Sequence, residues 1–349
     1  MKFDRPVIDG HMHLYKFFDD NGTSIFKLFD NIQENTGLNG MSIACLTDKL
    51  YGSVTQNIMG AFYKLQNPTV YAKAGIVYPD FPVCPPLPAG MESDTQYKEL
   101  VEIGFDGFKI LYKPDCRKAT KLPINDGYYE PFFALAEKDG AHFTWHVADP
   151  DFFWKVERNS SWCYTDGTYP TFREIFEQVF DVLEKHPKLN VTFAHFLFMS
   201  EHTDVLEYIF DRYENVSIDV TPGTEMYVNF SKKRDFYRDF LEKHADRILF
   251  GTDAELPDNP ESEKLIRSVY DALTTDKTVD IWGAEVTGLK LSDEACDKIL
   301  YRNYMRVSGS APKKVCVPAL LKYIDKYEHL IDDSDKKTVM EYADRLAAK

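Results

Sequence analysis

Apolar and polar positions along this chain follow two alternating periods. The runs Val7–Leu14, Ile43–Thr47, Val70–Tyr78, Gly107–Leu111, Ala141–Val147, Val191–His195, Val216–Val220 and Arg247–Phe250 are short and apolar, which predicts eight strands. Between them the period lengthens. Ile25, Leu28, Phe29 and Ile32 fall at i, i+3, i+4 and i+7, predicting a helix over 24–33. Helical character also marks 58–65, 95–103, 129–137, 205–213 and 236–244. The clearest helix follows Thr171, where Thr171 and Glu174 form a capping-box pattern ahead of a stripe through Phe172, Ile175, Phe176, Val179, Phe180 and Leu183.

Strands separated by helices in this way predict an α/β fold, a closed parallel (β/α)8 TIM barrel. An open doubly wound sheet is the competing architecture, but no glycine-rich phosphate turn follows any early strand. Two stretches interrupt the repeat: a proline-rich loop over 78–88, and a polar and aromatic insertion over 148–170 that reads equally as an active-site lid or a packed surface loop. A last barrel helix is expected from near Ser292. Residues 1–310 would then form the barrel, and 311–349 a helical C-terminal extension packed on it.

Composition narrows the partners. With 41 basic against 56 acidic residues and a net charge of -15, the chain is ill suited to gripping nucleic acid or an anionic membrane. Its apolar runs fall short of the roughly 20 residues needed to span a bilayer, and no secretory signal pattern opens it. The expectation is a cytoplasmic protein acting on a small molecule, with self-association into a homo-oligomer left open. Six cysteines without a C-x-x-C pair indicate neither a zinc finger nor a disulfide framework.

The candidate chemistry lies at strand ends. His11 and His13 sit two residues apart, so on a strand they share a face and lie roughly 6.5 Å apart, a spacing suited to one metal ion. His146, His195 and Asp253 likewise fall at the ends of strands five, six and eight, the catalytic face of such a barrel. The other five histidines, His142, His186, His202, His244 and His329, occupy a strand start, helices or connections and are expected to pack or face solvent. Lys109, embedded in strand four, admits three readings: a carbamylated bridge between two metals, a cation for an acidic substrate, or a buried ion-pair partner. The last two are favoured.

Together, Ile8-Asp9-Gly10-His11-Met12-His13, Gly107-Phe108-Lys109-Ile110, Thr144-Trp145-His146-Val147-Ala148-Asp149-Pro150, Phe193-Ala194-His195 and Ile248-Leu249-Phe250-Gly251-Thr252-Asp253 resemble the amidohydrolase superfamily. The branch is amidohydrolase family 2, which includes amino-carboxymuconate-semialdehyde decarboxylase-like enzymes, and the resemblance spans about residues 5 to 308. It implies a distorted barrel with one divalent metal, Zn2+ before Mn2+ or another ion, held by His11, His13, His146 and Asp253. Three imidazoles and a carboxylate suit zinc. His195 and Asp253 would be the catalytic groups, with Asp253 taking a proton from metal-activated water, and Lys109 and Trp154 would contact substrate. The leading expectation is a metal-dependent hydrolase of a small carboxylated or cyclic substrate. The alternatives are a nonoxidative decarboxylase using the same site and a noncatalytic binding barrel. Phe196-Leu197-Phe198 stands where the decarboxylases of this branch commonly have a glycine-led turn, which favours hydrolysis.

Overall fold

The computed structural model describes residues 2–47, 53–77, 90–157, 160, 162–223, 225–255 and 260–348. Eight strands, β1 (Ile8–Met12), β2 (Gly40–Ala44), β3 (Val70–Ala74), β4 (Gly107–Tyr112), β5 (His142–Val147), β6 (Asn190–Phe193), β7 (Val216–Asp219) and β8 (Ile248–Leu249), form one sheet in chain order. Every neighbouring pair is parallel, so each connection must cross back over the sheet, and helices make the crossings.

The ring closes between its first and last strands. Met12 bridges Ala254 in parallel, the Gly10 N–H donates to the Phe250 carbonyl at 3.0 Å, and the Asp253 N–H donates to the His11 carbonyl at 2.8 Å. The result is a TIM barrel. Its strands are covered on both sides, by barrel filling and by helices, and are accordingly buried along nearly their whole length. Glycine keeps the seam narrow: a Cβ on Gly251 would lie 2.9 Å from the His11 Cβ and closer still to Thr221 Oγ1.

Most of the expected helices are present, including Ile25–Thr36 and Phe172–Lys185 with its capping box, in which the Thr171 hydroxyl accepts from the Glu174 N–H at 3.2 Å. The ends of strands differ more. β2 begins three residues before the expected Ile43, because Gly40 and Met41 pair with β1, and glycine carries little strand propensity. β6 stops at Phe193, two residues short of His195. The helix returning from β8 is Pro260–Thr274, not the one near Ser292. A hairpin, β9 (Thr278–Ile281) and β10 (Ala284–Thr287), intervenes, and Ser292 caps a later helical run through Ser308. That run closes the barrel floor, where Asn303 Nδ2 donates to the Ala245 and Ile248 carbonyls.

Two further helices, Val317–Tyr327 and Asp333–Ala347, lie against Val54–Gln66: Asn57 Nδ2 donates to Tyr323 OH at 3.0 Å, and the Phe62 and Tyr342 rings stack with centroids 5.1 Å apart. The proline-rich stretch 78–88 and Cys84 lie outside the described residues. Among the described residues no helix is long and apolar enough to cross a membrane.

Candidate active site

β1 delivers His11 to the mouth of the barrel, and His13 follows just past its end. His11 Nδ1 lies 3.0 Å from Asp219 Oδ2. Burial pulls the Asp219 pKa upward, but the His11 hydrogen bond and the nearby histidines outweigh it and hold the carboxyl ionised. An ionised carboxylate only accepts, so Nδ1 carries the proton and Nε2 keeps a lone pair. His13 is oriented the same way, its Nδ1 donating to the Ala44 carbonyl at 2.7 Å. Its Nε2 then faces Asp253 Oδ1 at 3.1 Å, and His11 Nε2 lies 3.5 Å from the same oxygen.

Three acceptor atoms therefore converge, all within 4.8 Å of one another. With each Nδ1 engaged elsewhere, both Nε2 atoms face the one carboxylate, an arrangement that a cation between them would satisfy. Two nitrogens and an oxygen, each histidine anchored through its other nitrogen, are a donor set that fits a divalent ion such as zinc. Protonation agrees with this. Burial, reinforced by Lys109, lowers the His11 pKa to about 3. Burial would raise the Asp253 pKa, but the histidines around it, His13 foremost, carry it well below the ordinary carboxylate range.

Lys109 stands beside the cluster with Nζ 2.7 Å from His11 Nε2. Burial lowers its pKa to about 8, against the pull of Asp253 and Asp219. His146 is near but turned away: Nε2 lies 3.0 Å from the Ala148 carbonyl, so it donates there, and the ring is not part of the three-atom cluster. Of the four expected ligands, the described geometry gathers three. His195 contacts both neighbours, its ring centroid 4.7 Å from that of His146 and 5.4 Å from that of His11. Its backbone N–H donates to Asp219 Oδ1 at 2.8 Å, and its Nδ1 to the Pro222 carbonyl at 3.1 Å.

Backbone strain gathers at the same strand ends. Among the described residues nine non-glycine positions have positive φ, and six of them, Ala148, His195, Phe196, Leu197, Phe198 and Asp253, lie just beyond β5, β6 and β8. Left-handed backbone costs about 1–2 kcal/mol per ordinary residue, so such clustering marks a place where side-chain direction outranks backbone ease. The turn after β6 is built entirely from bulky residues, with His195 stacked on Phe198 at 5.1 Å.

A cavity of about 580 Å3 opens above these groups, lined by His13, Lys109, His146, His195 and Asp253 among others. Trp154 does not line it. Its indole N–H donates to the Pro170 carbonyl at 2.9 Å and its ring packs on Tyr164 and Phe172, so it serves the insertion's own small core. Trp162, from the same insertion, lines the cavity.

Residues 69–307, more than half of the chain, match the family model described as amidohydrolase. The chain belongs to the amidohydrolase family. The match starts after β2, so His11 and His13 lie outside it and enter the candidate site on geometry alone. Comparison with curated proteins finds no match. Among solved structures, an uncharacterized TIM-barrel protein from Bordetella bronchiseptica is 16% identical, covering 87% of this chain and 98% of its own, with a TM-score of 0.57. The 5-carboxyvanillate decarboxylase of Sphingomonas paucimobilis is 12% identical over 87% and 98% of the two chains, with a TM-score of 0.53. A probable 2-pyrone-4,6-dicarboxylic acid hydrolase of Acinetobacter baumannii, with citric acid bound, is 13% identical over 87% and 99%, with a TM-score of 0.52. At these identities the likeness is one of fold, and it includes both reaction types.

Two residues of this candidate site, Asp219 and Lys113, escape sequence reasoning, and a third, Asp149, stands in the quoted motif with no role assigned to it. Asp219 orients His11, and its signal, a carboxylate in an otherwise apolar strand, is the same kind that marks Lys109. Lys113 and Asp149 line the cavity one and two residues beyond strand ends, with Lys113 Nζ 3.8 Å from Asp149 Oδ2 and the Tyr164 hydroxyl donating to that oxygen at 2.6 Å. No spacing announces them.

Proposed function

We propose that this amidohydrolase hydrolyses a small carboxylated or cyclic substrate, using one divalent ion held by His11, His13 and Asp253, with His146 as a fourth ligand once its Nε2 leaves the Ala148 carbonyl. The observation that carries the reading is the convergence of the His11 and His13 Nε2 atoms and the Asp253 carboxylate beside the cavity. A divalent ion bound there supplies a Lewis acid and a water acidified to near neutrality.

The chain's own groups account for the rest. Asp253, held ionised, is placed to take a proton from the attacking water. His195, whose Nδ1–H is committed to the Pro222 carbonyl, keeps its lone pair on Nε2 and can accept or return a proton. Lys109 and Lys113 bring two ammonium groups to the cavity wall, which favours a substrate carboxylate. Burial of the cavity floor strengthens each of these interactions.

Decarboxylation could draw on the same groups, and the bulky turn after His195 supports hydrolysis over it. Turnover of cyclic carboxylates and lactones by metal-loaded protein in heavy-oxygen water tests the choice. Hydrolysis places solvent oxygen in a product. Release of carbon dioxide with no solvent oxygen in the organic product refutes the reading. Asp253→Asn should lower turnover about 100-fold or more, with a smaller effect on substrate binding.

A further inference from the structure

The hairpin β9–β10 stands outside the strand-helix repeat. Ile281 pairs with Ala284, leaving a two-residue turn of Trp282 and Gly283. Both have positive φ, 51° and 81°, as a type I′ turn requires. Such turns favour asparagine, aspartate or glycine at the first position, because a bulky side chain is strained there. Tryptophan is therefore a costly choice, and little burial repays it, since Trp282 remains 55% exposed.

Its place relative to the cavity gives the side chain a purpose. Trp282 lines the same cavity as Trp162, which comes from the insertion after β5 and is 47% exposed. Lys113 Nζ lies 5.4 Å from the Trp162 ring centroid, tying that ring to the cationic wall. Two half-exposed indoles from segments far apart in sequence thus border a cavity whose inner part carries Lys109 and Lys113. Strain at a ligand-facing position is best explained by what the side chain does there.

We propose that Trp282 and Trp162 are specificity-determining residues that stack on the planar part of a ring-bearing anionic substrate whose carboxylate is held at the lysines. This rests on the cavity being the substrate site, as in the proposed function, but not on whether the reaction is hydrolysis or decarboxylation. A saturated anion of the same charge would gain the lysines and forgo the rings.

The test is calorimetric titration of the metal-loaded full chain with isophthalate, which is planar, and glutarate, which is saturated, both dianions. Wild type should bind isophthalate more tightly. Trp282→Asn should weaken isophthalate about 5- to 10-fold, the scale of one aromatic contact, and leave glutarate within about twofold. Because asparagine suits the turn, this variant should melt no lower than wild type, which separates loss of the ring from loss of the fold. Trp282→Phe should restore most of the preference, and Trp162→Ala should reduce it. A wild type that binds both anions alike or neither overturns the proposal, as does a Trp282→Asn variant that binds isophthalate normally or loses both equally. Lys109→Met separates the two layers: weakening of both anions upholds the cavity as the substrate site even where the tryptophans prove inert, and weakening of neither removes the cavity reading itself.

Discussion

Replacing Asp219 with asparagine should uncouple metal binding from folding. The Asp219 carboxylate accepts from His11 Nδ1 at 3.0 Å through one oxygen, and from the backbone N–H groups of His195 and Thr221 at 2.8 and 3.1 Å through the other. Asparagine can keep the second oxygen's role, since its Oδ1 still accepts both backbone bonds. Its amide then faces His11 Nδ1 with a donor. That donor favours the tautomer with the proton on Nε2, which occupies the lone pair a metal needs. Loss of an orienting partner of this kind costs about 10- to 100-fold in metal affinity, or about 1.4–2.8 kcal/mol. Asp219→Ala should do more, because it strands two buried backbone donors at about 1–3 kcal/mol each and should destabilise the metal-free fold as well. Competition with a chelator of known zinc affinity measures the first quantity, and denaturant melts of metal-free protein measure the second. An Asp219→Asn protein that holds zinc as tightly as wild type would refute the tautomer argument.

Other outcomes follow from the same geometry. Wild type should retain one divalent ion per chain by elemental analysis, and the double substitution His11→Ala and His13→Ala should lose it; two ions, with a carbamyl group seen by intact mass, would restore the bridging role for Lys109. Glu225 is largely buried without a well-formed hydrogen bond to either oxygen among the described residues, and burial raises its pKa to about 7. The folded state then holds this proton more tightly than the unfolded state does, so its burden is absent below about pH 4.5 and grows as pH rises to 7. Glu225→Gln should accordingly stabilise the protein by about 3 kcal/mol at pH 8 and hardly at all at pH 4, read from melts across pH; a gain independent of pH would contradict the assignment. Gly251→Ala should push His11 and Thr221 apart at the seam, costing about 1–3 kcal/mol in stability together with metal affinity, while an unperturbed variant would show the seam to be looser than its contacts imply.

The barrel was legible in the sequence because each strand and helix must hide an apolar face, and period alone reports that face. Ile25, Leu28, Phe29 and Ile32 specify their helix without tertiary help. The seven-residue helices Pro114–Thr120 and Met226–Lys232 were not legible, being too short for a period to establish itself. The hairpin at 278–287 was missed because Trp282 occupies the position where a turn usually announces itself with asparagine. Of the candidate site, the cluster of His11, His13 and Asp253 could be read from spacing and strand-end position. The orientation of His146 could not, since the Ala148 carbonyl that takes its Nε2 hydrogen is placed by a left-handed residue that composition does not reveal. Trp154 and Trp162 lie eight residues apart in an aromatic-rich insertion, and only tertiary packing decides which ring meets the cavity.

The seam between β1 and the end of β8 sets a schedule for the ribosome. His11 leaves the exit tunnel about 240 residues ahead of Asp253. At 5–20 residues per second that is a wait of roughly 12 to 48 s during which the first strand has one side without its final neighbour. A nascent chain in that interval offers two histidines and no carboxylate to complete them, so the proposed ion could be held tightly only after release of nearly the whole barrel. On the proposed function, metal loading would be a late checkpoint in the life of this chain, one that a product truncated before Asp253 could not reach.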